Sequence, residues 1–349
     1  MSHSDRRTAS VLFVGDDWYG SNATSLRDGF KEIGASVVSV DTSELMSHTM
    51  PFRRKLARKA SPRLYGSWTS SAVARGVSRA VDEHGPFDHL VVFKGLSVPA
   101  EVVSQFRGTT VHYHPDDVSN DDNTSPTYLQ AESSYDLHVT TKRHNVEELR
   151  TRSGAEVLFV PCAYDSRWHT DNGPAPGAEG RLGFVGTKRP DRVDFISMLA
   201  REEAAAGRSM LLAGTGWSGE DDIVSIAETE PAQFGSDFSL AVSRARLQLG
   251  VLNSANRDTH TCRTYEIPAA GGLFVGESTE EHLELIEGSA GALLYSSDDE
   301  ARELIRWARA HPGEAEAIRS RGHQIVTRGQ NTYADRAREI LRAIEAAAS

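Results

Sequence analysis

Val11-Leu12-Phe13-Val14 is an uninterrupted apolar run ending at Gly15, and together with the loop and helix after it this run constrains the fold more tightly than anything else in the chain. A run that is apolar at every position belongs to a strand covered on both faces, as in a parallel sheet. A polar loop comes next, Gly15-Asp16-Asp17-Trp18-Tyr19-Gly20-Ser21-Asn22. Leu26, Phe30 and Ile33 then recur at helical spacing until Gly34 stops the helix. Val37-Val38-Ser39-Val40 is the next strand and ends at Asp41. This order is a βαβ unit, which builds a parallel sheet with helices on both faces.

The alternation continues along the chain. A basic segment, 52–60, reads as helical, as does 71–83. Strands are predicted at 89–93, running into Lys94-Gly95; at 109–113, opening onto His114-Pro115-Asp116-Asp117; and at 137–140 and 157–160, closed by Pro161. Residues 170–180 (TDNGPAPGAEG) hold two Pro and three Gly in eleven positions, a linker composition. A second series of strands is predicted beyond it, at 182–185, 210–213, 247–252, 273–275 and 292–295. Two helices come after these, near 313–328 and 333–347. Single cores stop growing at roughly 250–300 residues, so a chain of 349 residues is expected to hold two domains. These are an amino-terminal domain over 1–170 and a carboxyl-terminal domain over 178–330, followed by a last helical segment within 331–349. Two Rossmann-like α/β halves imply a cleft at the carboxyl ends of both sheets.

Charge and cysteine content remove several classes of function. The 38 basic and 49 acidic residues leave a net charge of −11, which argues against a nucleic-acid partner that would need a basic face. Cys162 and Cys262 supply no disulfide framework, and no tight Cys/His cluster is legible for a structural zinc site. The opening MSHSDRRTAS lacks a long apolar stretch, and no run approaches about 18 apolar residues. A soluble, cytoplasmic protein is expected.

Two clusters carry candidate chemistry. Gly186, Thr187, Lys188, Arg189 and Arg192 come directly after a strand end, and small residues with cations there can cradle phosphate. The second runs from Asn253 to Gly272, from a strand through a polar loop into a short helix. In it Thr264 is a plausible N-cap, Pro268 fits the first helical turn, and the helix entrance offers free N–H groups to an anion. Glu266 beside that entrance suits hydroxyls, as a ribose presents, better than phosphate.

Asp258 and Glu266 stand eight positions apart, the spacing of the Glu-x7-Glu motif of retaining GT-B glycosyltransferases, and the segment Glu266 to Val275 resembles the corresponding segment of that family. More closely, the chain resembles the CgeB-like (spore-protein type) glycosyltransferases. The resembling segments are His112 to Asp117, Thr140 to Leu149, Phe159-Val160-Pro161, Phe184 to Thr187 and Arg257 to Gly272. The resemblance implies an α/β GT-B fold, with the helix within 331–349 returning to the amino-terminal domain, and a metal-independent transfer of sugar from a nucleotide-diphosphate sugar, the co-substrate, to a hydroxyl acceptor, with no cofactor. By carry-over Glu266 holds the donor ribose. Gly186, Thr187, Lys188, Arg189, Arg192 and Gly214 line the diphosphate side, with Arg263 and Thr264 at the helix entrance. The first acidic position is Asp258, one methylene shorter than the family's Glu.

The amino-terminal half would then hold the acceptor: a small molecule, a glycan or a protein. Asp16, Asp17, His114 and Asp116 are candidates for taking the acceptor's proton, besides Asp117. Other readings fit less well. Asp41 sits where a dinucleotide-binding acid would, but Gly15 and Gly20 do not make Gly-x-Gly-x-x-Gly. Asp117, Ser119, Asp121 and Asn123 hint at a calcium loop, yet its glycine and distal Glu are missing. No metal is expected. The basic run at 53–59 offers a weak membrane contact, and Trp18, Trp68, Trp168 and Trp217 are candidate sugar platforms. The alternative function is a non-catalytic, nucleotide- or sugar-binding GT-B-like protein of a surface or coat assembly.

Overall fold

A computed structural model describes residues 8–48, 62–219 and 221–347. The basic run at 53–59 lies outside the described residues. The chain divides into two compact units, one running through Pro161 and resumed from Tyr333, the other spanning Cys162–Thr332.

The first unit holds a six-stranded parallel sheet of β1 (Ser10–Gly15), β2 (Ser36–Asp41), β3 (His89–Phe93), β4 (Thr109–His114), β5 (Leu137–Thr140) and β6 (Glu156–Phe159). Its strand order is β2-β1-β3-β4-β5-β6. Leu12, Val14, Leu90 and Val92 pack with Val73 and Val77 of helix Pro62–His84 on one face. Helix Asn22–Glu32 starts at Ser21, whose hydroxyl accepts the Thr24 N–H at 3.0 Å. Helix Tyr333–Ala347 packs against it so closely that a Cβ on Gly29 would lie 2.6 Å from the Tyr333 carbonyl oxygen. Arg336 of that helix is buried and donates to the Pro161 carbonyl at 2.8 Å.

The second unit repeats the design with β7 (Leu182–Val185), β8 (Met210–Ala213), β9 (Ala227–Glu230), β10 (Leu247–Gly250), β11 (Leu273–Glu277) and β12 (Leu293–Tyr295), in the order β12-β11-β10-β7-β8-β9. Every pair is parallel. The two-residue period of a strand divides its apolar residues between two cores. Leu182, Phe184, Met210, Leu212, Leu273 and Val275 face one, and Val185, Leu211, Ala213 and Phe274 face the other.

Several sequence expectations shift. The edge strand β9, Ala-Glu-Thr-Glu, is too polar to read as a strand from the sequence. The strand expected over 247–252 stops at Gly250, and the helix expected over 71–83 spans Pro62–His84. Asp171, inside the linker-like stretch, is tied to Arg246 at 2.9 Å and Arg319 at 3.3 Å, and the Ala175 N–H reaches the Ser243 carbonyl at 2.8 Å. Among the described residues no helix is long and apolar enough to cross a membrane.

Candidate functional site

In an open parallel sheet, loops diverge where successive crossovers leave in opposite directions, and that point is the natural crevice for a ligand. In the second unit it falls between β7 and β10, so the loops after Val185 and Gly250 flank it. The candidate residues of both sequence clusters lie on these two loops, on the loop after β8, or on the helices they open.

The loops after β7 and β8 run side by side at backbone contact. A Cβ on Gly214 would lie 2.0 Å from the Gly186 carbonyl oxygen, so only glycine fits there. The same carbonyl accepts the Trp217 indole N–H at 2.8 Å, and Lys188 N–H reaches the Thr215 carbonyl at 2.9 Å. Trp217 is fully buried and serves as this brace. Trp18 and Trp68 are exposed, and Trp168 lies under the Arg167 guanidinium.

Arg192 reaches from the β7 side to the β10 side, where its Nη2 donates to the Leu252 carbonyl at 3.4 Å. Burial lowers its pKa, and the Asp191 carboxylate nearby opposes that. Asp191 lies 3.5 Å from Arg189 and accepts the Ser254 N–H and hydroxyl, both at 3.1 Å. Asp258 folds back on its own loop, accepting the Asn253 N–H at 3.2 Å. Glu277, at the end of β11, accepts the Leu252 N–H at 3.1 Å, and burial raises its carboxyl pKa.

Helix Arg263–Ala269 carries the remaining residues. Arg263 donates to the Val185 carbonyl at 3.2 Å, pairs with Glu266 and stacks over Phe238 at 4.2 Å. Glu266 is buried, and Nε2 of the buried His169 lies 3.8 Å from it. Burial lowers the His169 pKa, against the pull of Glu266. The expected cap at Thr264 is corrected: Cys262 precedes the helix, and Thr264 lies inside it with its hydroxyl 3.0 Å from His282 Nε2. Pro268 sits near the helix end rather than in its first turn.

His282 donates from Nδ1 to the Glu277 carbonyl at 2.6 Å, which fixes Nε2 as the acceptor of the Thr264 hydroxyl. Its pKa falls to about 4, chiefly through burial. His260 is held the same way, with its Nδ1 2.5 Å from Glu281 and its Nε2 accepting the Cys162 N–H at 3.0 Å. Loop and helix therefore rest on neutral histidines.

In the first unit the candidates fall in two places. After β1, Asp16 accepts the Thr42 hydroxyl at 2.7 Å, while Asp17 pairs with Arg27 and accepts the Thr24 hydroxyl at 3.2 Å. After β4, Asp116 is bound to Lys94 at 2.6 Å, and together with His114 and Asp117 the two line a small cavity of about 10 Å³. Asp117 is buried and caps the Ser119 N–H at 2.9 Å, which is a turn role. His114 is buried too, its Nε2 being 2.7 Å from His112 Nδ1 and 3.1 Å from His138 Nδ1. Burial pushes the pKa of all three imidazoles down.

The structure thus joins Gly186, Arg189, Arg192, Gly214, Asp258, Arg263, Thr264 and Glu266 around one switch point, with Thr187 and Lys188 in the same loop. His169, His282 and Glu277 join them without any local sequence signal.

Comparison with known proteins agrees with this geometry. Residues 192–342 match a family model described as glycosyl transferase-like. Sucrose-phosphate synthase from Thermosynechococcus elongatus is similar in structure, with a TM-score of 0.65 and 14% identity over 97% of this chain and 100% of that one. Anabaena HepE in complex with UDP and glucose gives 0.66 and 15% over 97% and 100%. A UDP-forming trehalose-phosphate synthase from Burkholderia xenovorans gives 0.62 and 12% over 98% and 100%. No curated protein sequence matches. The chain has the two-unit α/β GT-B fold, and its residues 192–342 are glycosyl transferase-like. The matched segment holds the second switch-point loop, helix Arg263–Ala269 and the Glu277 shelf.

Proposed function

We propose that the second unit binds a nucleoside-diphosphate sugar and that the enzyme transfers its sugar to a hydroxyl acceptor held by the first unit. The observation that carries this reading is the Arg263 bridge. By donating to the Val185 carbonyl while pairing with Glu266, it ties a cation-bearing strand-end loop to a buried carboxylate at one switch point. That is the division a nucleotide needs, with cations for the diphosphate and a carboxylate for ribose hydroxyls. The UDP bound in HepE supports a nucleotide ligand for this fold. The CgeB-like grouping is part of the same proposal and rests on the resembling segments, from His112 to Asp117 through Arg257 to Gly272.

Transfer needs the departing diphosphate's charge stabilised without added proton bookkeeping. Lys188, Arg189 and Arg192 supply fixed positive charge on that side, so no divalent ion is needed at the donor. Asp16, Asp17 and Asp116 remain the acceptor-side bases, since each is a carboxylate at the carboxyl end of a strand. His114 is the weaker base, because its Nε2 is turned into the buried cluster.

The test is thermal stabilisation by UDP, GDP, ADP, CDP and dTDP, and by their sugars, in metal-free buffer. A ligand at 100 times its Kd stabilises by about 2.7 kcal/mol. One nucleotide is expected to raise the melting temperature in the wild type and not in Glu266→Ala. A wild type that responds to none of them refutes the donor assignment.

A further inference from the structure

His112 and His114 lie two residues apart on β4, hence on the same face of the sheet, and His138 stands directly opposite His112 in the register of β5. All three are buried, and one ring nitrogen from each lies within 4.8 Å of the other two. The separations are 2.7 Å from His112 Nδ1 to His114 Nε2 and 3.1 Å from His138 Nδ1 to His114 Nε2. The Tyr128 hydroxyl oxygen is a fourth neighbour, 3.2 Å from His114 Nε2.

Protons are too few for these contacts. Tyr128 gives its hydroxyl proton to the Glu132 carboxylate. His138 gives its Nε2 proton to the Glu132 carbonyl at 3.0 Å, which leaves a lone pair on Nδ1. His112 Nδ1, His138 Nδ1 and the Tyr128 oxygen therefore all converge on His114 Nε2, a nitrogen that carries at most one proton. If that proton is present, it serves one neighbour and leaves two bare. If it is absent, a proton on His112 Nδ1 serves one contact, and lone pairs oppose each other across the other two. In either case two of the three contacts have no proton, and all three imidazoles are buried.

We propose that His112, His114 and His138 form a buried binding site for a zinc-type divalent cation within the first unit, with the Tyr128 oxygen at the fourth position. Neutral imidazoles are the donors such an ion takes. Around a tetrahedral zinc, ligand nitrogens at about 2.0 Å stand about 3.3 Å apart. The 2.7 and 3.1 Å separations reach that by opening about 0.6 and about 0.2 Å. The outer shell is already built: the Glu132 carbonyl holds the far nitrogen of His138, and Arg152 neutralises the Glu132 carboxylate at 2.9 Å. His112 Nε2 is buried beside the Lys94–Gly95 turn, where a Cβ on Gly95 would lie 3.1 Å from it. The small cavity beside Lys94, Asp116 and Asn123 borders His114. The site holds the end of β4 to β5 and is separate from the donor chemistry proposed for the second unit, so it stands if that reading fails.

The untagged chain would be stripped with dipicolinate and titrated with Co2+, followed by visible absorption and by melting temperature. About one equivalent should give the intense d–d bands of a four-coordinate ion, and Zn2+ should bleach them. Zinc should also raise the melting temperature of the stripped protein. The bands should vanish in His138→Ala and persist in His84→Ala, an exposed histidine of the same unit. A stripped wild type with a native far-UV spectrum that takes up no Co2+ at one equivalent overturns the proposal. So does a folded His138→Ala that keeps the bands. If His138→Ala fails to fold, the wild-type titration decides alone.

Discussion

Replacing His282 by Gln should flatten the acid limb of stability by a calculable amount. The imidazole is fully buried, with both nitrogens committed: Nδ1 donates to the Glu277 carbonyl at 2.6 Å and Nε2 accepts from Thr264 at 3.0 Å. Protonation would place an N–H against the Thr264 oxygen, which already accepts the Thr261 N–H at 3.2 Å. Burial, opposed in part by the Glu277 carbonyl, takes the pKa from 6.5 to about 4. That difference corresponds to about 3 kcal/mol. The unfolded imidazole takes up a proton near pH 6.5, whereas the folded one refuses it until about pH 4. The contribution is therefore complete above pH 6.5 and is lost as pH falls from 6.5 to 4. Urea unfolding of wild type and His282→Gln at pH 7.5 and 4.5 isolates it, since the other buried histidines titrate in both proteins and cancel. The variant should be less stable at pH 7.5, and the gap should narrow by roughly 2–3 kcal/mol at pH 4.5. A gap unchanged between the two pH values would refute the assignment of a neutral, doubly bonded His282.

Three further outcomes rest on close backbone approaches and on one buried ion pair. Gly29→Ala should destabilise by about 2 kcal/mol despite the better helix propensity of alanine, because its Cβ would lie 2.6 Å from the Tyr333 carbonyl oxygen; limited proteolysis should then cut the carboxyl-terminal helix first. Gly214→Ala, with its Cβ 2.0 Å from the Gly186 carbonyl oxygen, should abolish nucleotide-induced stabilisation by parting the two loops, as read by calorimetric titration. Arg309→Ala should lower the melting temperature, since the buried Glu203 then keeps only Arg208 of the two guanidiniums that grip it. The loss should be about 1–2 kcal/mol, and smaller in a Glu203→Gln background.

The sequence by itself determined the layout of each unit. Runs such as Val11 to Val14 and Leu182 to Val185 are apolar at nearly every position, and only a strand covered on both faces accommodates that. Glycine and cations at the end of one such strand, with a carboxylate on a short helix after another, made the cluster at the second unit's switch point legible too. Tertiary structure alone decided what lies beside what. The polar strand Ala227–Glu230 reads as loop because an edge strand needs only one partner's hydrogen bonds and little apolar burial. Thr264 has the side chain of a cap, yet His282, from a segment eighteen residues on, takes its hydroxyl into the helix interior. No tight Cys/His cluster can be read along the chain, because His138 stands 24 residues from His114 and meets it only through the parallel pairing of β4 with β5. Period and composition are local properties, so a sequence displays them. Pairing register joins residues across a helical crossover, and it is fixed only when both strands are laid into one sheet.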